Sequence, residues 1–423
     1  MSLFVAQSEL MNKLTRYKEI ESFLFSQLPM FQRVGAKAFK KDLGNIVKLS
    51  KLLGNPEKDL NCLHIAGTNG KGSTSFILAA WLRALGYNVG LYTSPHYKSY
   101  RERIRVNKQH VSKQFVKRFV NDLIESGLFK SDLKPSFFEI TVAMAFGYFK
   151  QSDLDYCVIE TGLGGRLDST NIIQPQLSLI TNIGFDHTAF LGNTLELIAG
   201  EKAGIIKQDT PVIIGTTQKE TTAVFNNKAS EMNSDISFAD KLPRVDFLED
   251  ISKSFPSYQY DNIYLAYYGL KALLPKSDMN KLEAINLPSE LSEWGFMGRY
   301  QLLDTNPRII LDSAHNAEGM VELMKNISKE AFHKLHVVLA MVNDKDISKV
   351  LSLLPNEAHY YFSNARIPRA LDKQLLQEQA SELGLKGKVY TTVPRALAAA
   401  RKKASSKDLI LVAGSIFTVA ELV

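Results

Sequence analysis

Short apolar runs alternate with stretches of helical periodicity along most of the chain. The first clear run, Asn61–Ala66, reads as a strand, and Gly70–Leu85 behind it reads as a helix stopped at Gly86. Val89–Thr93 returns as a strand and leads into a polar loop rich in Arg, Tyr and His. Val111–Ser126 and Phe137–Phe149 predict helices, and Tyr156–Glu160 and Leu177–Asn182 predict buried strands. Leu195–Ala203 reads as a helix, Pro211–Gly215 as a strand and Asp261–Leu274 as a further helix. A second series opens with Arg308–Asp312 (strand) and Ala317–Ser328 (helix). It continues through the strands Leu335–Ala340, His359–Phe362 and Leu409–Ala413, with helices between. This βα rhythm predicts mostly parallel sheets covered by helices. Between the two series, Pro288–Gly295 has weak periodicity and reads as a loop, which predicts a larger domain over residues 1–293 and a smaller one over 294–423.

Composition narrows the class. At roughly 100–200 residues per domain, 423 residues suit two or three domains. A hydrophobic content of 45% with 22% charge excludes a disordered chain, a collagen or a coiled-coil rod. The net charge of +7, from 51 basic and 44 acidic residues, suits anionic small-molecule substrates, and equally a soluble surface that is merely basic. No Lys/Arg block marks a nucleic-acid or membrane arm, so neither partner is expected. Cys62 and Cys157 lie in apolar runs and build neither a disulfide framework nor a cysteine metal site, which predicts a reducing compartment. Charge interrupts the first 21 residues too early for a signal peptide, and Leu409–Val423 is too short for a membrane span and carries Glu421. The expected location is the cytoplasm.

The chemistry concentrates at strand ends. Gly67-Thr68-Asn69-Gly70-Lys71-Gly72-Ser73 follows a strand and opens a helix. Glycines let backbone N–H groups turn toward an anion, and the helix N-terminus adds unpaired donors. Lys71 can reach the β- and γ-phosphates of a nucleotide, and the Ser73 hydroxyl can ligate Mg²⁺. The strict phosphate-loop pattern is broken, with two residues rather than four between the glycines and Gly72 after the lysine. Glu160 ends a strand and leads into Thr161–Asp168, where a lone carboxylate could instead cap a helix or pair with Arg166. Asp186-His187 follows the next strand. Ligands bind at the carboxyl ends of strands in open α/β sheets. Ser73, Glu160 and His187 therefore form a candidate metal set, with the imidazole hinting at tolerance of Mn²⁺.

Eight motifs then occur in a telling order: HIAGTNGKGS (64–73), TSPH (93–96) with RERI (101–104), ETGLGGRLDSTN (160–171), ITNIGFDHTAFLGNT (180–194), EKAGIIK (201–207), MGRYQ (297–301), LDSAHN (311–316) and NDKD (343–346). Together they resemble folylpolyglutamate synthase/dihydrofolate synthase, a branch of the Mur ligase family, from about residue 40 to the C-terminus. The resemblance implies a P-loop ATP-binding domain followed by a smaller Rossmann-like α/β domain. It also implies an ATP-dependent amide ligase: ATP phosphorylates a substrate carboxylate, and the amine of L-glutamate displaces the phosphate. Dihydropteroate and reduced folates are the expected acceptors of glutamate, with a synthase confined to folate extension as the alternative. A P-loop kinase or nucleotide-gated switch is the rival from outside the class.

Residue by residue, the resemblance gives Gly67 to Ser73, Thr74, Asn262, Arg299 and Asp312 to ATP. It gives Ser73 and Glu160 to one Mg²⁺, and Glu160 with His187 to a second. Lys202 matches the family lysine that is carbamylated by CO₂. Lys71, Lys202, His187, Asp312 and His315 become the catalytic candidates, and His315, Asn316 and Ser415 the glutamate candidates. Phe138 and Asp168 match pterin-side positions, although a core aromatic and a helix cap would look the same in sequence. Arg101, Arg103 and Arg105 are candidate partners for substrate carboxylates, or members of a solvated basic loop. Isoleucine and tyrosine follow Asn262 where alanine is common, and Met297 stands where proline often precedes the Gly-Arg pair. A monomer is expected.

Overall fold

Burial on both faces demands continuous apolar strands, and the chain supplies them. The structure, a computed structural model, describes residues 13–29, 42–343 and 347–423. The first twelve residues and Asp344–Asp346 of the NDKD motif lie outside these. The first sheet contains β1 (Cys62–Ala66), β2 (Val89–Tyr92), β3 (Ile104–Val106), β4 (Gln109–His110), β5 (Tyr156–Glu160), β6 (Leu177–Ile180), β7 (Val212–Ile214) and β8 (Ile236–Phe238). Their spatial order is β4-β3-β2-β5-β1-β6-β7-β8. The central strands are parallel, with Ile65 opposite Glu160 and Ala66 opposite Ile180. This register brings the loops after β1, β5 and β6 to one edge.

Helices cover both faces of this sheet. Helices 17–27, 44–52, 113–125 and 137–150 close one face around Tyr92, Tyr100, Phe146 and Phe149. Helices 71–84, 260–273 and 287–293 close the other around Trp81, Leu265 and Trp294. Cys62 and Cys157 are free and buried in strands, as their apolar neighbours predict.

The second sheet holds β9 (Gln301–Thr305), β10 (Arg308–Leu311), β11 (Leu335–Leu339), β12 (His359–Phe362), β13 (Gly387–Val389) and β14 (Leu409–Ala413), in the order β13-β12-β11-β14-β10-β9. All but β9 run parallel. The apolar C-terminal stretch is thus a central strand followed by a short helix, Ile416–Ala420. Among the described residues no helix is long and apolar enough to cross a membrane.

Two expectations are corrected. Pro288–Gly295 is not a loop, because helix Leu287–Glu293 occupies most of it. Pro288 sits in the first turn, where no N–H is missed, the Asn286 side chain accepts from Ser289 N–H, and Leu287 and Leu291 are buried. The polar loop after β2 likewise ends in a strand, β3, which pairs antiparallel with β2 and turns back into β4.

Candidate active site

The glycine turn after β1 is shaped by contacts that leave no room for side chains. Gly70 has φ +90°, and a Cβ there would lie 2.1 Å from Asn262 Oδ1; one on Gly67 would lie 1.8 Å from Thr181 Oγ1. Asn182 braces the turn: its backbone carbonyl accepts from Thr68 N–H (2.8 Å) and its side-chain oxygen from Asn69 N–H (3.0 Å). Helix Lys71–Ala84 starts at once after Gly70, so its free N–H groups face the turn. Ser73 and Thr74 are buried in its first turn, and Thr74 Oγ1 lies 3.4 Å from Asn262 Oδ1.

Two lysines converge on this turn from different elements. Lys71 Nζ donates to the carbonyls of Gly67 (3.0 Å) and Thr68 (3.1 Å). Lys202, on helix Leu195–Ala203, donates to the same Gly67 carbonyl at 2.7 Å while only 3% exposed. Burial first, and the Lys71 charge second, hold the Lys202 ammonium well below its ordinary pKa. The glycines of the loop after β5 permit this approach: a Cβ on Gly165 would lie 2.8 Å from the Lys202 carbonyl.

Across the turn stands Glu160, at the end of β5 and 4% exposed. A Cβ on Gly72 would lie 3.7 Å from both of its carboxylate oxygens and 3.6 Å from an Arg299 nitrogen. Ser94 N–H donates to Glu160 Oε2 (3.1 Å). Burial pushes the carboxyl up to about 7, with Lys71 as the strongest opposing influence. Glu160 is not the partner of Arg166, which pairs with Glu201 at 2.7 Å. His187 opens helix Thr188–Leu191 in a left-handed conformation, its Nε2 3.8 Å from Asp186. Among the described residues no group of three or more His, Cys, Asp or Glu side chains could hold a metal. A buried carboxylate beside a phosphate-type loop fits a cation that takes its other oxygens from nucleotide and water.

The second sheet closes over this edge. Asp312, after β10, accepts from Tyr258 O–H (2.5 Å), Tyr300 N–H (2.8 Å) and Ala314 N–H (2.8 Å). Asn316 caps helix Ala317–Ile327 through Gly319 N–H and exchanges amide hydrogen bonds with Asn69 (3.1 and 3.2 Å). His315 Nε2 lies 3.4 Å from Asp186 Oδ2. Ser415 follows β14 and caps helix Ile416–Ala420 through Thr418 N–H. Arg299 reaches Tyr97 O–H at 3.1 Å. A cleft opens between the sheets, lined among others by Gly72, Tyr97, Glu160, Phe296 and Arg299.

Comparison with known proteins meets this geometry. The Mur ligase middle domain matches residues 65–259, and the Mur ligase glutamate ligase domain matches residues 298–416. Dihydrofolate synthase/folylpolyglutamate synthase of Bacillus subtilis is 33% identical over 438 aligned positions, covering 96% of this chain and 98% of its own. The chain belongs to the Mur ligase family, in its dihydrofolate synthase/folylpolyglutamate synthase branch. Solved members superimpose over almost the whole length. Escherichia coli FolC in complex with DHPP and ADP gives a TM-score of 0.79 at 27% identity, covering 97% of each chain. The Yersinia pestis bifunctional enzyme complexed with AMPPNP and Mn ion gives 0.80 at 28%, covering 97% of this chain and 98% of its own.

Within this Mur ligase, the pterin-side candidates take ordinary structural contacts. Asp168 accepts from Gly162 N–H, Leu163 N–H, Thr170 N–H and Thr170 O–H at 2.6–3.0 Å, which is a cap for the loop and for the short helix Ser169–Ile172. Phe138 packs on Gly162, where a Cβ would lie 2.4 Å from its ring. Sequence reasoning passed over Tyr97 and Tyr258 and gave Asp186 no role of its own, yet the polar atoms of all three bridge the two halves of the site. Tyrosines in aperiodic loops gave no signal; only the adjacency of Asp186 to His187 offered one.

Proposed function

We propose that this Mur ligase joins L-glutamate both to dihydropteroate and to reduced folates, through an acyl phosphate made at the glycine turn. The observation that carries the reading is the convergence of Lys71 and Lys202 on one carbonyl of that turn, with the Glu160 carboxylate across Gly72. A carboxylate becomes an acyl donor only when one of its oxygens is phosphorylated. That transfer needs positioning and neutralisation of charge rather than an enzyme nucleophile. Lys71 sits where it can leave its two loop carbonyls for the phosphates, and the free N–H groups of helix Lys71–Ala84 add donors. ADP, AMPPNP, Mn and DHPP, named in the solved relatives, support the substrate classes.

Ser73 and Glu160 would hold Mg²⁺ or Mn²⁺, with His187 contributing to a second ion; when bound, such a cation neutralises phosphoryl oxygens. Asn262, Arg299 and Asp312 serve the nucleotide in this reading, and His315, Asn316 and Ser415 serve the incoming glutamate. Carbamylation of Lys202 requires a neutral amine, and the depressed ammonium supports it. Contacts between the domains, such as Asn69 with Asn316, would shield the acyl phosphate from water.

The test is purified protein with ATP, Mg²⁺ and labelled L-glutamate, offered dihydropteroate or tetrahydrofolate separately. Labelled amide product from both is expected. Product from tetrahydrofolate alone reduces the enzyme to a folate-extending synthase. ATP turnover indifferent to both acids returns the kinase or switch reading.

A further inference from the structure

The three arginines after β2 have different fates. Arg101 donates to the Val111 carbonyl (3.1 Å), and Arg103 donates through Nε to His96 Nδ1 (2.7 Å) over the Phe137 ring. Arg105, on β3, is only 3% exposed, yet it lines the cleft beside Glu160, Gly72 and Arg299. One guanidinium nitrogen is held by the Glu102 backbone carbonyl, and the guanidinium carbon lies 5.1 Å from the Phe76 ring centre. Its Nε has no hydrogen-bond partner. Its remaining nitrogen faces Gly295, where a Cβ would stand 3.8 Å away.

The nearby carboxylate does not discharge it. Glu102 is committed to the backbone N–H groups of Tyr97 (2.7 Å), Lys98 (3.0 Å) and Ser99 (2.7 Å). Among the described residues no acid side chain forms an ion pair with Arg105. A desolvated guanidinium with an unused donor is costly unless an anion completes it. The fork geometry of arginine matches a carboxylate.

Resting on the ligase reading above, we propose that Arg105 binds the spare α-carboxylate of the glutamyl tail when a folate is extended. Dihydropteroate has one carboxylate, which is the one activated; a folate has two, and the α-group needs a partner while the γ-group reacts. The incoming glutamate is the less fitting occupant. Its candidate residues His315, Asn316 and Ser415 do not line this cleft, to which the second domain offers Phe296, Met297, Arg299 and Ile416. Arg105 stands instead on the first-domain wall, beside the carboxylate that faces the phosphate turn.

The experiment compares wild type with Arg105→Gln and Arg105→Lys, using dihydropteroate, tetrahydrofolate and the α-carboxamide of tetrahydrofolate. KM for tetrahydrofolate should rise at least ~10-fold more than KM for dihydropteroate in Arg105→Gln, with partial recovery in Arg105→Lys. Wild type should disfavour the α-carboxamide by a similar factor, and Arg105→Gln should no longer distinguish acid from amide. Equal losses with both substrates, or a raised KM for glutamate in both reactions, overturn the proposal. So does a wild type that treats acid and amide alike, and this arm decides the matter if the variants fail to fold. Wild type inert with dihydropteroate sinks the two-substrate reading, and the carboxamide comparison still judges the arginine.

Discussion

The edges of the two sheets face each other but are furnished differently. The first carries charge held at one glycine turn: Lys71, half-buried, meets the buried Lys202 and Glu160 there, and burial has moved the last two far from their ordinary protonation behaviour. The second carries mostly satisfied groups. Asn316 and Ser415 cap helices, and Asp312 accepts three hydrogen bonds. Charge held out of water is costly and is retained where a reaction uses it. Groups already supplied with hydrogen-bond partners, such as the buried Asp312 carboxylate, are held at less cost. Under the proposed function, this difference corresponds to phosphoryl transfer at the first edge and closure by the second.

The sharpest way to break this contrast is Lys71→Ala, expected to lower turnover at least ~100-fold with the fold intact, as loss of one electrostatic donor commonly does. Near-normal turnover with unchanged circular dichroism would remove the first edge from the chemistry. Lys202→Ala should come next, with activity that small carboxylates such as acetate partly restore. Full activity without additive would dismiss a carbamate. On the second edge, Asn316→Ala should cost less, roughly 10-fold in kcat/KM, because it removes an inter-domain amide pair and a helix cap rather than a charge. A loss as large as that of Lys71→Ala would erase the proposed division of labour.

How far this division could be read from the chain depends on the kind of signal. β1, β5 and β14 were legible because their apolar runs are buried along all or nearly all their length, and β5 and β14 match their expected limits. β3, β4, β8 and β13 are two or three residues long and carry polar groups, too short for any period to appear. Helix Leu287–Glu293 was hidden by proline, serine and glycine, residues that act here as start and stop rather than as loop. Within the site, Lys71 and Glu160 announced themselves by position at strand ends. The role of Asp168 did not, since a cap and a ring-reading carboxylate share one letter. Its four acceptor contacts predict that Asp168→Asn lowers both ligations alike by loosening the loop, measurable as equal falls in kcat/KM. A selective loss of dihydropteroate use would give the residue back to the pterin.

The smallest effect concerns the support beneath the first edge. Thr170 O–H donates to Asp168 Oδ1 (2.6 Å), so the oxygen of Thr170 must accept from His64 Nε2 (2.8 Å), which fixes the neutral tautomer of a fully buried imidazole. Burial, aided by Lys207, lowers the His64 pKa to about 3. Below the unfolded value near 6.5, the unfolded chain takes a proton that the fold refuses. The contribution of His64 is therefore complete above pH 6.5 and is lost as pH falls toward 3, by about 1.4 kcal/mol per unit. Glu160 acts in the opposite sense: its raised carboxyl takes a proton in the fold first, which stabilises the fold as pH falls from about 7 toward 4.5. The two offset each other in the whole protein, so the wild-type slope alone is uninformative. His64→Gln keeps a donor for Thr170 and removes only the titration. Relative to wild type, its unfolding free energy from urea melts should improve by about 2 kcal/mol between pH 6.5 and pH 5. If the gap between the two proteins is the same at both pH values, His64 titrates normally and the buried relay does not hold it neutral.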